Sequence, residues 1–190
     1  MGCCGSVDVN EKSNENVNDK SNELENINNL DDSTLIQTYI EEDCNFRKSI
    51  GSNINLEKQS KRQRIEIICM GCFLYKNKEM IQNNKLEILV RDNVIQNTKY
   101  RPDLIFRRNN RVFHIEIDEN SHSNYDKDKE QERYQTIKNY CLTRYGTYNL
   151  IRFNPNVYGK LDSEHDKVVI AEQFALLLSN IDGLLLFERC

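Results

Sequence analysis

The chain has 190 residues, 38% of them hydrophobic, and a formal net charge of −4. That length fits one globular domain with extensions, and the low apolar share leaves part of it without a core. The acidic balance excludes binding of nucleic acid through overall basicity, so a phosphate-gripping face has to be local; no apolar run approaches the roughly 20 residues that cross a bilayer, and the setting expected is intracellular and reducing.

The chain opens on Met1-Gly2-Cys3-Cys4-Gly5-Ser6. This matches the N-myristoylation pattern, with Gly2 as acceptor and Cys3 and Cys4 beside it as S-palmitoylation sites. One myristoyl chain binds membranes only marginally, with a constant on the order of 10⁴ M⁻¹, so the second lipid is needed for stable attachment. Residues 1–9 are therefore expected to place the protein peripherally on an intracellular membrane. Residues 10–54 read as a mostly disordered tether, rich in Asn, Glu, Ser, Lys and Asp. One short helix is expected near 33–42, from Leu35, Ile36, Tyr39 and Ile40, with a polar loop over 43–54. The folded domain is expected over 55–190.

Ile65, Ile68, Cys69, Cys72 and Phe73 recur at i, i+3, i+4, i+7 and i+8, one face of a helix running to about Tyr75. Cys69 and Cys72 lie on that apolar face, which favours core packing over metal or redox chemistry. The seven cysteines are irregularly spaced and odd in number, so no disulfide framework is expected. Strands follow at Leu86–Arg91, Leu104–Arg107 and Val112–Asp118; Asn109-Asn110 is a turn, since Asn tolerates positive φ. A helix over Asp126–Tyr145 ends at Gly146, and a fourth strand covers Tyr148–Phe153. A last helix runs from about Glu164 to Asn180, with Ser163 and Asp166 as a capping-box pair. The expected class is α/β, a mixed central sheet flanked by helices.

Side chains alternate along a strand, so Phe113, Ile115 and Ile117 point into a core while His114, Glu116 and Asp118 share the opposite face. Counting back across the turn places Asp103 opposite Glu116, at the roughly 5 Å Cβ separation of cross-strand neighbours. Two carboxylates that close repel, and a divalent cation relieves them. A solvated polar face is the plainer alternative. Arg101, Arg107, Arg108 and Arg111 ring the hairpin and can grip phosphates.

Pro102-Asp103, followed after thirteen residues by Glu116-Ile117-Asp118, resembles the PD-(D/E)XK restriction-endonuclease-like superfamily. The string Glu116-Ile117-Asp118-Glu119-Asn120-Ser121-His122 is similar to its very-short-patch-repair-like branch. With Tyr125-Asp126, Glu130, Arg133 and Leu150–Pro155, the stretch from 86 to 158 also resembles a group of proteins from giant viruses and algae.

The resemblance implies a Mg²⁺- or Mn²⁺-dependent phosphodiesterase acting on nucleic acid, with Asp103 and Glu116 as metal ligands. A helix glutamate, Glu66 or its rival Glu79, would complete the site. Asp118 stands where the superfamily has Lys. His122 is then the candidate general acid or base, and Lys129 and Arg133, with Arg107 and Arg108, the candidate substrate-binding charges. The alternative implied by Asp118 is a catalytically silent domain of the same fold that binds nucleic acid or protein at a membrane.

Overall fold

The computed structural model describes residues 30–51, 64–118, 126–159 and 161–181. In chain order these form helices α1 (Asp32–Ser49), α2 (Ile65–Lys76) and the short α3 (Lys78–Gln82). Strands β1 (Leu86–Arg91), β2 (Leu104–Arg108) and β3 (Arg111–Ile117) follow. Helix α4 (Lys127–Tyr145), strand β4 (Asn149–Phe153), a 3-10 turn (Pro155–Val157) and helix α5 (Glu164–Ser179) complete the set. Gly2, Cys3 and Cys4, the expected tether as far as residue 29, and His122 lie outside the described residues.

The sheet runs β1-β2-β3-β4, the first three strands antiparallel and β4 parallel to β3. Local chemistry accounts for this order. Asn109 and Asn110 both take positive φ, 50° and 59°, and form a two-residue turn whose twist matches that of the flanking strands. A parallel neighbour needs a crossover, and α4 supplies it. That helix starts where the Asp126 side chain accepts from the Asp128 and Lys129 amides, and it stops at Gly146, φ 77°. Ser163 and Asp166 form the expected capping box on α5.

The sheet carries a core on each face, giving the expected mixed sheet flanked by helices. Phe106, Phe113, Ile115, Ile117 and Phe153 pack under α1, α2 and α5. Phe73 and Phe174 join them through ring contacts of 5.5 Å to Phe106 and 5.0 Å to Phe153. On the other face Ile105 and Val112 meet Ile95 and the α4 residues Ile137 and Cys141. Cys69 and Cys72 are fully buried free thiols, as core packing requires, and burial pushes Cys72 up to about 12.

The first helix corrects the expected boundaries. It runs on through 43–49, where a loop was expected, and it belongs to the folded unit, which was expected only from 55. Its Leu35, Ile36, Tyr39, Ile40 and Cys44 belong to the main core. Asp43 and Arg47 look like solvent-facing polar residues in the sequence, yet both are buried as partners of other charges. Where α1 crosses α2 the backbones nearly touch. A Cβ on Gly71 would sit 1.8 Å from the Tyr39 carbonyl oxygen, so only glycine fits there.

Candidate functional site

The antiparallel register pairs Leu104 with Ile115. The ladder ends at that pair; Asp103 stands just before β2 and Glu116 is the next residue of β3, so continuing the register by one step would set the two opposite each other. Asp103 Oδ2 accepts the Ile117 amide at 2.7 Å, so its side chain reaches across to β3. Burial, together with the charges of Glu116 and Glu66, pushes the Asp103 carboxyl up to about 8. Glu66, at the start of α2, is therefore the helix acid whose charge bears on Asp103. Its rival Glu79 lies in α3, which packs on β1.

Glu116 is 3% exposed and has two partners besides. His114 Nε2 bonds to its Oε1, and His114 Nδ1 bonds to the Tyr148 hydroxyl at 3.1 Å. With Nε2 donating to the carboxylate, Nδ1 accepts the phenol proton. From α4, Arg133 Nη2 donates to Glu116 Oε1 at 2.7 Å and to Oε2 at 2.8 Å, and to the Arg101 carbonyl at 3.0 Å. The Arg133 guanidinium is held above its usual range by Glu116, against the opposing effect of burial.

Asp118 lies just beyond β3. The parallel register sets Arg152 of β4 beside Glu116, and its guanidinium turns to Asp118 at 2.7 Å and Glu130 at 3.3 Å. The Tyr134 ring carries Arg133 and Arg152, with guanidinium carbons 5.6 Å and 5.4 Å from its centroid.

On the far side of Asp103, Arg91 is fully buried. It donates to Asp43 at 2.8 Å, to Glu66 at 3.1 Å and to the Asp103 carbonyl at 2.9 Å. Arg47 joins Asp43 at 2.8 Å and Asp92 at 2.7 Å. This cluster fixes Glu66 and the Asp103 backbone in relation to each other.

Not every expected residue gathers here. Arg107 and Arg108 sit at the turn end of the hairpin, away from Asp103 and Glu116. Arg107 pairs with Glu87, and Arg108 donates to the Ser179 carbonyl at the end of α5 at 3.0 Å. The even ladder from Leu104 to Arg108 separates them from the acids by roughly four residues, on the order of 13 Å. Lys129 is 81% exposed and pairs with Asp126. Of the expected substrate-binding charges, only Arg133 reaches the acids. Asp43, Arg47, Arg91 and Arg152 were not singled out from the sequence. Three of them left a signal, because Asp43 and Arg47 stand four apart on one helix face and Arg152 shares the alternation that puts Glu116 on its face.

Among the described residues no group of three or more His, Cys, Asp or Glu side chains is arranged to hold a metal ion. Asp103 and Glu116 are a two-carboxylate pair. Mg²⁺ commonly takes only one or two carboxylates and completes its shell with water and substrate phosphate. The donor set is all oxygen, and the crowding around Asp103 is of the kind that a cation relieves, so the residues fit such an ion. Comparison with protein-family models, with curated proteins and with solved structures gave no match.

Proposed function

We propose that the domain is a divalent-cation-dependent phosphodiesterase of nuclease type, with Asp103 and Glu116 as the acids that hold the cation. The observation that carries this reading is the placing of Asp103, whose Oδ2 reaches across to the Ile117 amide beside Glu116 while Arg91 ties its backbone to Glu66, so that the charges of both other acids raise its carboxyl. Carboxyls perturbed in this way cluster at functional sites. The resemblance of Pro102-Asp103 and Glu116-Ile117-Asp118 to the PD-(D/E)XK pattern points the same way. A bound Mg²⁺ or Mn²⁺ supplies Lewis-acid polarisation of a phosphoryl oxygen and lowers the pKa of its water. The chain's own residues orient the acids. Arg91 and the Ile117 amide fix Asp103, and His114 fixes Glu116. In wild type, Mg²⁺-dependent cleavage of DNA or RNA is expected, with its loss in both Asp103→Ala and Glu116→Ala. Cleavage that persists in either variant removes the assignment.

The second reading is a silent domain of the same fold that binds nucleic acid or protein. It is favoured by Asp118, which stands in the lysine position and is neutralised by Arg152. Calorimetric titration with Mg²⁺ and Mn²⁺ separates the two, since a silent domain shows no saturable binding. The membrane address belongs to the same proposal. Acylation at Gly2, with Cys3 and Cys4, is supported by the opening motif, and Gly2→Ala is expected to shift the protein from the membrane fraction to the soluble one. Among the described residues no helix is long and apolar enough to cross a membrane.

A further inference from the structure

We infer that Arg133 is a latch that lies on Glu116 until a divalent cation takes its place, and that the displaced guanidinium then receives a phosphate group. The inference rests on the reading of Asp103 and Glu116 as the cation pair, and it adds how that site is regulated and what it selects.

Three observations carry it. First, Arg133 occupies both oxygens of Glu116, at 2.7 Å and 2.8 Å. Arg133 and His114 together fill three of the roughly four lone-pair positions of this carboxylate, so a cation on Glu116 competes with Arg133 both for the remaining capacity and against its charge. Second, the hold comes from one end of the guanidinium. Among the described residues every hydrogen bond that Arg133 donates comes from Nη2, to Glu116 and to the Arg101 carbonyl. Nε and Nη1 donate to none of the described residues, and the side chain keeps 21% exposure. An Arg fork with an open edge and with donors that no described residue uses matches the bidentate geometry of a phosphate. Third, the Tyr134 ring lies against the guanidinium at 5.6 Å. It gives Arg133 a surface to stay on when Glu116 is lost as a partner.

The consequence is a coupling between two ligands. A cation on Glu116 frees Arg133, and a phosphate on Arg133 leaves Glu116 open, so each tightens the other by the same factor. The ligand class selected is a phosphodiester or phosphate that arrives with its cation, rather than a bare anion.

The test is calorimetry on the full chain with three probes, MgCl₂ alone, inorganic phosphate alone, and a short thymidine oligonucleotide, the two anions each with and without Mg²⁺. In wild type Mg²⁺ is expected to raise oligonucleotide affinity by about fivefold or more. A gain seen for inorganic phosphate but not for the oligonucleotide assigns the site to free phosphate. In Arg133→Gln, Mg²⁺ alone is expected to bind about tenfold tighter than in wild type, because its competitor is gone, and the coupling to either anion disappears. A merely structural role predicts the opposite sign for Mg²⁺. In Arg133→Lys, which keeps the charge, Mg²⁺ affinity is expected near the wild-type value. This variant also decides the matter if the Gln variant does not fold, since a tenfold gain with Lys overturns the latch. Mg²⁺ that binds wild type while Arg133→Gln leaves or weakens that affinity overturns the latch alone. Absence of Mg²⁺ binding in wild type and in both variants overturns the cation pair and the latch together.

Discussion

Two buried charge clusters meet at Asp103, and they are balanced differently. In the first, Asp43, Glu66 and Asp92 face Arg47 and Arg91, with the more exposed Arg64 on Glu66 and Arg101 on Asp92, three acids against four guanidinium groups. In the second, the guanidinium of Arg133 and the ring of His114 both bond to Glu116 and neither bonds to Asp103, so the positive charge that bears on Asp103 is that of Arg91 in the first cluster. The first needs nothing from outside. The second is short of positive charge, and the shortfall appears at Asp103, whose carboxyl is held up to about 8. Burial of charge is thus no sign of function by itself. A buried acid whose neighbours are also acids is the more telling feature.

The largest effect tests the closure of the first cluster. Arg91→Met leaves Asp43 and Glu66 buried without their main partner. A loss of about 3–5 kcal/mol is expected in urea unfolding. A loss under about 1 kcal/mol would show the cluster to be wet and loosely held. Close behind comes Gly71→Ala, which drives a methyl into the Tyr39 backbone and pushes α1, with Asp43 and Arg47, away from Arg91. About 3 kcal/mol is expected from such a forced fit, read as a fall in thermal midpoint on the order of 10 °C.

A smaller effect sharpens the second cluster. The folded pKa of Asp103 is raised above its ordinary 3.8, so the fold holds the proton more tightly than the unfolded chain does. The stability this confers is fully present below about 3.8 and is lost as pH rises through about 8. The metal-free thermal midpoint should therefore fall between pH 6 and 9 by about 5 °C. Asp103→Asn, whose amide oxygen still accepts from Ile117, should remove that fall. An unchanged slope would mean that Asp103 is already ionised at neutral pH. The smallest effect is expected outside both clusters. Arg107 and Glu87 are each nearly half exposed, and Arg107→Ala should cost less than about 1 kcal/mol in thermal melts, with cation affinity unchanged.

What could be read from the sequence follows from the range of the forces involved. The Asn109-Asn110 turn, the Gly146 stop and the Ser163–Asp166 cap are local, and each stands where its residue type placed it. The register that, continued by one step, sets Asp103 across from Glu116 follows from the turn by counting alone. What was missed depends on contacts made far along the chain. Asp43 and Arg47 read as solvent-facing because their partners, Arg91 and Asp92, are more than forty residues away. Arg107 and Arg108 were drawn to the acids by proximity in sequence, yet along a hairpin that proximity separates the turn from the open end. Arg133 was placed near the acids from the helix that bears it, but its two bonds to one carboxylate had no sequence signal.

The arrangement of α1, α2 and α5 also has a bearing on synthesis. Phe174 packs on both Phe73 and Phe153, and His165 reaches back across 133 positions to Asp32. A nascent chain that has left the ribosome as far as Phe153 already has β1–β4 with α1 and α2 against them, but the part of the aromatic underside around Phe153 still lacks its cover. The arrival of α5, with Phe174, supplies it. The period in which this domain is most prone to stick to its neighbours is therefore the interval between the synthesis of β4 and that of α5.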